Sequence, residues 1–385
     1  MKNVLFLLFI IFIVSACGSD ENRTSDASSL QMHAVDSVKI DFLGNLILQD
    51  VDEKLERVLF YNMSKNEMVL ANFEGEILWE KSWEGDSPNS HGGLVSPAKF
   101  KGDQIFVIGR KGFTYYDMNG NLLTQKALPA NYRTFFTSFN QRGIAEEWQD
   151  KYYTVYFDRG SFQTNEAEYY TNLKVMGEFD PESDELRTFV NFPAGSKFIN
   201  GRAYEVPNMM PVYTRVGQYI WMAFFSDIKL YKFDLNNDFE LLETKALSHQ
   251  SFYETKGVEL SAKDPRAIIF SDNDGQNSIL KTDGNYLLMG YVPGLNDSDR
   301  EMRESLRVPD KKEELQAFEK QLAKRNVPSW IVYDLNGEKL SEFPNTLNMN
   351  FFHLIGKSGH FYSLRNPRTD EEEDFFMLYK LKIAE

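Results

Sequence analysis

The stretch Tyr116-Asp117-Met118-Asn119-Gly120-Asn121-Leu122 reads as the turn of a β-hairpin. Asn-Gly accepts the positive φ that a tight turn demands, and the aspartate before it can bond backbone amides across the turn. The pattern recurs. Asn72-Phe73-Glu74-Gly75-Glu76-Ile77-Leu78, the run from Phe179-Asp180 to Leu186, the run from Phe233-Asp234 to Phe239, and Tyr333-Asp334-Leu335-Asn336-Gly337 to Leu340 share its layout. Each has an aromatic residue, an acidic or small residue, a turn and a second strand. Most of the spacings between copies suit the period of ~40–50 residues of a propeller blade, and the longer ones leave room for inserted loops.

Apolar runs between the turns are short and rich in β-formers: Gln104–Ile108, Tyr219–Phe225, Tyr286–Tyr291, Trp330–Tyr333 and Phe375–Leu381. Ile105-Phe106-Val107-Ile108 does not alternate, so both of its faces should be buried. Leu230–Leu235 alternates in part and suits a more exposed strand. Five hairpins plus a final strand pair, Phe361–Leu364 and Phe376–Leu381, predict an all-β fold: a six-bladed β-propeller with a small helical insertion, spanning residues 36–385. An early strand near Val38–Leu48 would complete the last blade and close the ring.

The insertion falls in the longest gap between hairpins, at about residues 297–327. Ser298 with Glu301, and Asp310 with Glu313, have capping-box spacing. Pro309 separates two short helices, and Leu315, Phe318 and Leu322 form one apolar stripe.

The N-terminus gives an address. Lys2 precedes the unbroken apolar run Val4–Val14, and Ser15, Ala16 and Cys17 follow. The run is shorter than the ~20 residues a membrane-spanning helix needs, and its flanks suit a secretory signal over residues 1–16. Val14-Ser15-Ala16-Cys17 resembles a bacterial lipobox, which implies lipid attachment at Cys17. Residues 17–35 are small and polar and read as a flexible tether. Asp20 and Glu21 just after the cysteine leave both a periplasmic and a cell-surface orientation open. The expected location is the cell envelope, as an outer-membrane lipoprotein.

Composition narrows the partners. The net charge of -15 argues against nucleic acid, because no basic surplus exists to neutralise phosphates. Cys17 is the only cysteine, so stability cannot rest on intrachain disulfides. With 42% hydrophobic and 14% aromatic residues, the chain can bury a large core without them.

Trp83–Pro88, Gly92-Gly93, Pro97, Ile105–Ile108 and Tyr116–Gly120 resemble the inter-blade signature of an uncharacterised six-bladed propeller lipoprotein family of Bacteroidota type, with a TolB-like or NHL-like layout. The resemblance implies a propeller and carries no activity.

No catalytic motif assembles. Gly85-Asp86-Ser87 lacks the rest of a nucleophile elbow, and no histidine stands three residues after an aspartate. His33, His91, His249, His353 and His360 are scattered, without metal-ligand spacing. Asp272-Asn273-Asp274-Gly275 is similar to part of a calcium loop, but Phe270 and Lys281 would occupy its end positions. Asp370–Asp374 reads as a solvated hairpin tip. No cofactor and no metal site are expected. The aromatic-rich segment 132–170 offers Trp148, Tyr152, Tyr153, Tyr169 and Tyr170 as ligand-binding candidates, since rings beside polar groups suit glycan or peptide faces. The expected role is a membrane-anchored binding or scaffold module for a protein, peptide or glycan of the envelope. A glycan-acting hydrolase or lyase on the same fold is the alternative.

Overall fold

The computed structural model describes residues 30–83, 87–132, 140–183, 185–269, 273–367 and 373–385. The signal region and Cys17 lie outside the described residues, as do Gly85, Asp86, Phe270, Asp272 and most of the Asp370–Asp374 run.

The chain opens with β1 (Gln31–Asp41). Blade 1 follows as β2 (Leu46–Asp52), β3 (Arg57–Asn62), β4 (Glu67–Asn72) and β5 (Ile77–Lys81). Blade 2 is β6 (Lys99–Lys101), β7 (Gln104–Gly109), β8 (Gly112–Asp117) and β9 (Leu122–Lys126). Blade 3 is β10 (Glu146–Trp148), β11 (Lys151–Asp158), β12 (Lys174–Phe179) and β13 (Leu186–Asn191), with helix α1 (Ala167–Asn172) between its middle strands. A short strand β14 (Arg202–Ala203) precedes blade 4, which is β15 (Pro211–Val216), β16 (Tyr219–Phe224), β17 (Lys229–Asp234) and β18 (Glu240–Ala246). β19 (Val258–Glu259) pairs back onto β14. Blade 5 is β20 (Gln276–Thr282), β21 (Leu287–Val292), β22 (Ser329–Tyr333) and β23 (Lys339–Pro344). Blade 6 takes β24 (Ile355–Lys357), β25 (His360–Leu364) and β26 (Phe375–Ala384) from the C-terminus and β1 from the N-terminus.

Each blade is a four-stranded antiparallel sheet, and six of them form the ring expected from the sequence. Six apolar clusters, one per seam, hold neighbouring blades together. Strand β7 shows why its sequence does not alternate. Ile105 and Val107 pack towards blade 1, while Phe106 and Ile108 pack towards blade 3. Both faces of an inner strand are seams, so both must be apolar. Among the blade strands, the mostly exposed ones are fourth strands such as β9 and β18 at the rim. β17, expected to be more exposed, is largely buried, because it is a third strand covered on both sides.

The recurrent hairpin joins the third and fourth strands of blades 1 to 5. Asp117 Oδ1 accepts from the amides of Asn119 (2.9 Å) and Asn121 (2.8 Å). Asp334 does the same with Asn336 (2.9 Å) and Glu338 (2.8 Å), and Asn72 with Glu74 (3.1 Å) and Glu76 (2.9 Å). The turn also docks on the blade before it. Lys81 of β5 donates to the Asn119 carbonyl, Arg187 of β13 pairs with Asp238 at 2.6 Å, and Lys245 of β18 pairs with Glu338. Gly75 has φ +87°, and a β-carbon there would lie 2.0 Å from the Lys39 carbonyl of β1. Glycine is therefore needed both for the backbone conformation and for the approach of the closing strand.

Two sequence boundaries move. The closing strand is Gln31–Asp41 rather than Val38–Leu48, and Leu46–Asp52 belongs to blade 1 as its innermost strand. Gln31 to Ala34, read from the sequence as tether, already pair with β26. The insertion is as expected: helices α2 (Asp297–Leu306) and α3 (Lys312–Arg325). Its cap differs. Asn296, not Ser298, caps α2 by accepting from the Asp299 amide at 2.8 Å, since an Asn one residue before the helix reaches the third amide. The cap of α3 is Lys311, without a side-chain bond, because Pro309 opens a 3-10 turn that leads into the helix.

Candidate functional site

A cleft of about 580 Å3 lies where the insertion meets the loops of blades 4 and 5. Such a volume suits a small ligand. The loop after β18 brings Phe252, Tyr253 and Glu254. The loop before β15 brings Lys197 and Tyr204, and α2 presents its first turn.

The walls are cross-linked. The Tyr253 amide donates to the Pro293 carbonyl (2.8 Å), and the Gly275 amide donates to the Tyr253 carbonyl (2.7 Å). Lys197 bridges Glu254 (2.9 Å) and the Ser226 carbonyl. Lys256 pairs with Asp297 at 2.8 Å, and that bond holds the Asp297 carboxyl below its ordinary value. Asn200 donates to the Tyr204 hydroxyl at 2.8 Å. Tyr253 remains exposed among these fixed groups. The cleft thus offers an aromatic face with amides, carboxylates and ammonium groups around it.

The motif that resembles part of a calcium loop has a different task. Asn273 accepts from Arg303 (2.8 Å), and Asp274 pairs with Arg300 (3.2 Å). These two residues pin α2, and so one wall of the cleft, to the start of blade 5. Among the described residues, no group of three His, Cys, Asp or Glu side chains converges as a metal site would require.

The aromatic candidates sit elsewhere. Tyr152, Tyr153, Tyr169 and Tyr170 are at most 3% exposed and belong to the apolar clusters on either side of blade 3. Their rings fill seams and are closed to a ligand from solvent. Trp148 packs against the same core, and its indole N–H donates to Asn236 at 3.0 Å. It joins blade 3 to the turn of blade 4. The cleft residues were not singled out in the sequence because they come from three separate loops.

Three histidines are core groups. Burial pushes His91, His249 and His353 down from 6.5 to about 4. Between those values the unfolded chain takes up protons that the folded chain refuses. Stability therefore falls as pH drops from 6.5 towards 4, by up to roughly 3 kcal/mol per histidine. Among the described residues His353 Nδ1 has no hydrogen-bond partner, so His353→Leu should remove its share of the slope without stranding a partner. Melting curves across this range check it; parallel pH profiles for variant and wild type would refute it.

No protein-family model matches the chain, and no curated protein matches it. Solved structures do resemble it. A member of the DUF4221 family from Bacteroides vulgatus superposes with a TM-score of 0.65 at 12% identity, covering 92% of this chain and 99% of that one. A candidate exported protein from Bacteroides fragilis superposes with a TM-score of 0.53 at 10% identity, covering 95% and 98%. At these identities the likeness establishes the fold. The chain is a six-bladed β-propeller.

Proposed function

We propose that this propeller is a lipid-anchored binding module of the cell envelope, and that the cleft beside the helical insertion takes a glycan. The observation that carries the ligand class is the pairing of the exposed Tyr253 ring with fixed hydrogen-bonding groups in a cleft of about 580 Å3. A pyranose presents one apolar face and a rim of hydroxyls, which matches such a lining. The lipobox-like tetrad ending at Cys17 supports the anchor, and a location outside the cytoplasm agrees with the similarly folded Bacteroides protein described as a candidate exported protein. Among the described residues, no helix is long and apolar enough to cross a membrane.

Binding fits the cleft better than cleavage. A glycosidase needs one carboxyl kept protonated as the acid. Here Glu254 is tied to Lys197 and Asp297 to Lys256, and the Lys256 bond holds the Asp297 carboxyl below its ordinary value.

The test combines location with recognition. Wild type should partition with membranes and Cys17→Ser should not; equal partitioning removes the anchor. On a glycan array, Tyr253→Ala should lose the wild-type signal by tenfold or more while melting normally. Capture of an envelope protein instead, with no glycan bound, would assign the cleft to a protein partner. Turnover of a bound polysaccharide would revive the enzymatic alternative.

A further inference from the structure

The charged side chains that line the cleft are Lys197, Glu254, Lys256, Asp297 and Arg300. Each cation among them already has a carboxylate partner. Lys197 donates to Glu254 Oε2 at 2.9 Å and also to the Ser226 carbonyl. Lys256 donates to Asp297 Oδ2 at 2.8 Å. Arg300 is tied to the walls themselves. Its Nε donates to the Leu295 carbonyl at 2.7 Å, and its Nη2 donates to the Tyr253 carbonyl at 3.4 Å. The same Nη2 lies 3.2 Å from the buried carboxylate of Asp274, behind the lining. No cation is left over to neutralise a charge that a ligand brings in.

The carboxylates are matched in charge but not in hydrogen bonds. Each lysine takes one oxygen of its partner. Glu254 Oε1 and Asp297 Oδ1 have no hydrogen-bond partner among the described residues. Both side chains reach solvent, at 34% and 71% exposure, so a ligand can meet those oxygens.

This arrangement discriminates between kinds of sugar. A hydroxyl both donates and accepts, whereas an ionised carboxylate or sulfate only accepts. A hydroxyl can therefore give its proton to the open carboxylate oxygen and take a hydrogen bond from the ammonium of the same pair. An acidic group meets that ammonium only beside a charge of its own sign. Like charges brought together at a binding surface are strongly unfavourable, and such contacts suppress the wrong ligand. The protein's net charge of -15 adds to the effect at longer range.

We propose that the cleft selects neutral sugars over acidic ones, and that Glu254 and Asp297 set this choice. The inference rests on the glycan reading of the cleft and narrows it to sugars without carboxylate or sulfate groups. Each of the two carboxylates cancels a lysine that would otherwise attract an anion.

The test is an array of matched oligosaccharides, each neutral sugar printed beside its uronate and its sulfated counterpart. Wild type should bind the neutral member of a pair more tightly by about tenfold or more. Glu254→Gln preserves the size of the side chain but leaves Lys197 with the Ser226 carbonyl alone. The preference should then shrink by about tenfold, with uronates gaining signal while neutral sugars lose some. Asp297→Asn releases Lys256 in the same way and serves as the test should the first variant not fold. A merely structural role for these residues would lower all signals together and leave the ratio unmoved. Wild-type binding of uronates or sulfated sugars as strong as that of their neutral counterparts would overturn the inference and leave the glycan reading standing. Absence of any sugar signal would overturn the glycan reading, and this inference with it. An unchanged ratio in both folded variants would overturn the assignment to Glu254 and Asp297.

Discussion

A chain that begins at Phe42 does not form the ring, whereas one that begins at Leu30 folds like the full-length protein. This is the largest effect expected from any change described here. Strand β1 makes ten register pairs with β26, from Gln31↔Ala384 to Asp41↔Phe375. It also buries Ile40 completely in the seam between blades 6 and 1. At roughly 0.5–1.5 kcal/mol net per hydrogen bond, losing such a ladder costs on the order of 5–10 kcal/mol. That approaches the whole stability of an ordinary domain, about 5–15 kcal/mol. Circular dichroism and size exclusion would show the loss, and a synthetic peptide of residues 30–41 added in trans should restore part of it. A Phe42 variant with an unchanged melting curve would mean that the ring closes without β1.

The second large effect is at Trp221. This side chain is fully buried in the seam between blades 4 and 5, beside Leu230, Leu287 and Ile331. A β-carbon at Gly337, in the turn of blade 5, would come within 2.8 Å of its ring. Among the described residues its indole N–H has no hydrogen-bond partner, so the cost of removal is packing together with the Lys232 ammonium 5.2 Å from the ring. Trp221→Ala should destabilise by about 3–5 kcal/mol. For a chain of this size that lowers the melting temperature by roughly 5 °C. Trp221→Phe should lose less than half as much. Melting within a degree of wild type for the alanine variant would show that the seam can collapse around the gap.

How much of this was readable beforehand depends on how local each feature is. The hairpin of Asp117 and Asn121 was legible because its bonds run between residues two to four apart. Ile105–Ile108 was legible because burial of both faces writes an unbroken apolar run. The seam role of Gly75 was not, because Lys39 meets it only through ring closure. Strand β1 was partly taken for tether for the same reason. It is a rim strand, mostly exposed, so its sequence is as polar as a linker. The tyrosines of blade 3 misled in the opposite direction. Rings at seams and rings at ligand faces look alike in sequence, and only burial separates them. The cleft was the least legible. Its residues sit on separate loops and on a helix, and no spacing rule connects Tyr204 with Tyr253.

Blade 6 unites the first described strand with the last. Synthesis makes β1 before the other described strands, and its partner β26 after all of them. Until then β1 has no place to pair, and the ring stays open however well its middle blades have formed. Contacts between such distant segments are slow to form. A nascent or prematurely ended chain also carries unpaired strand edges, which invite pairing with other chains. Completion of the fold is thereby delayed until β26 has been made, so no shorter product of synthesis can lock the ring.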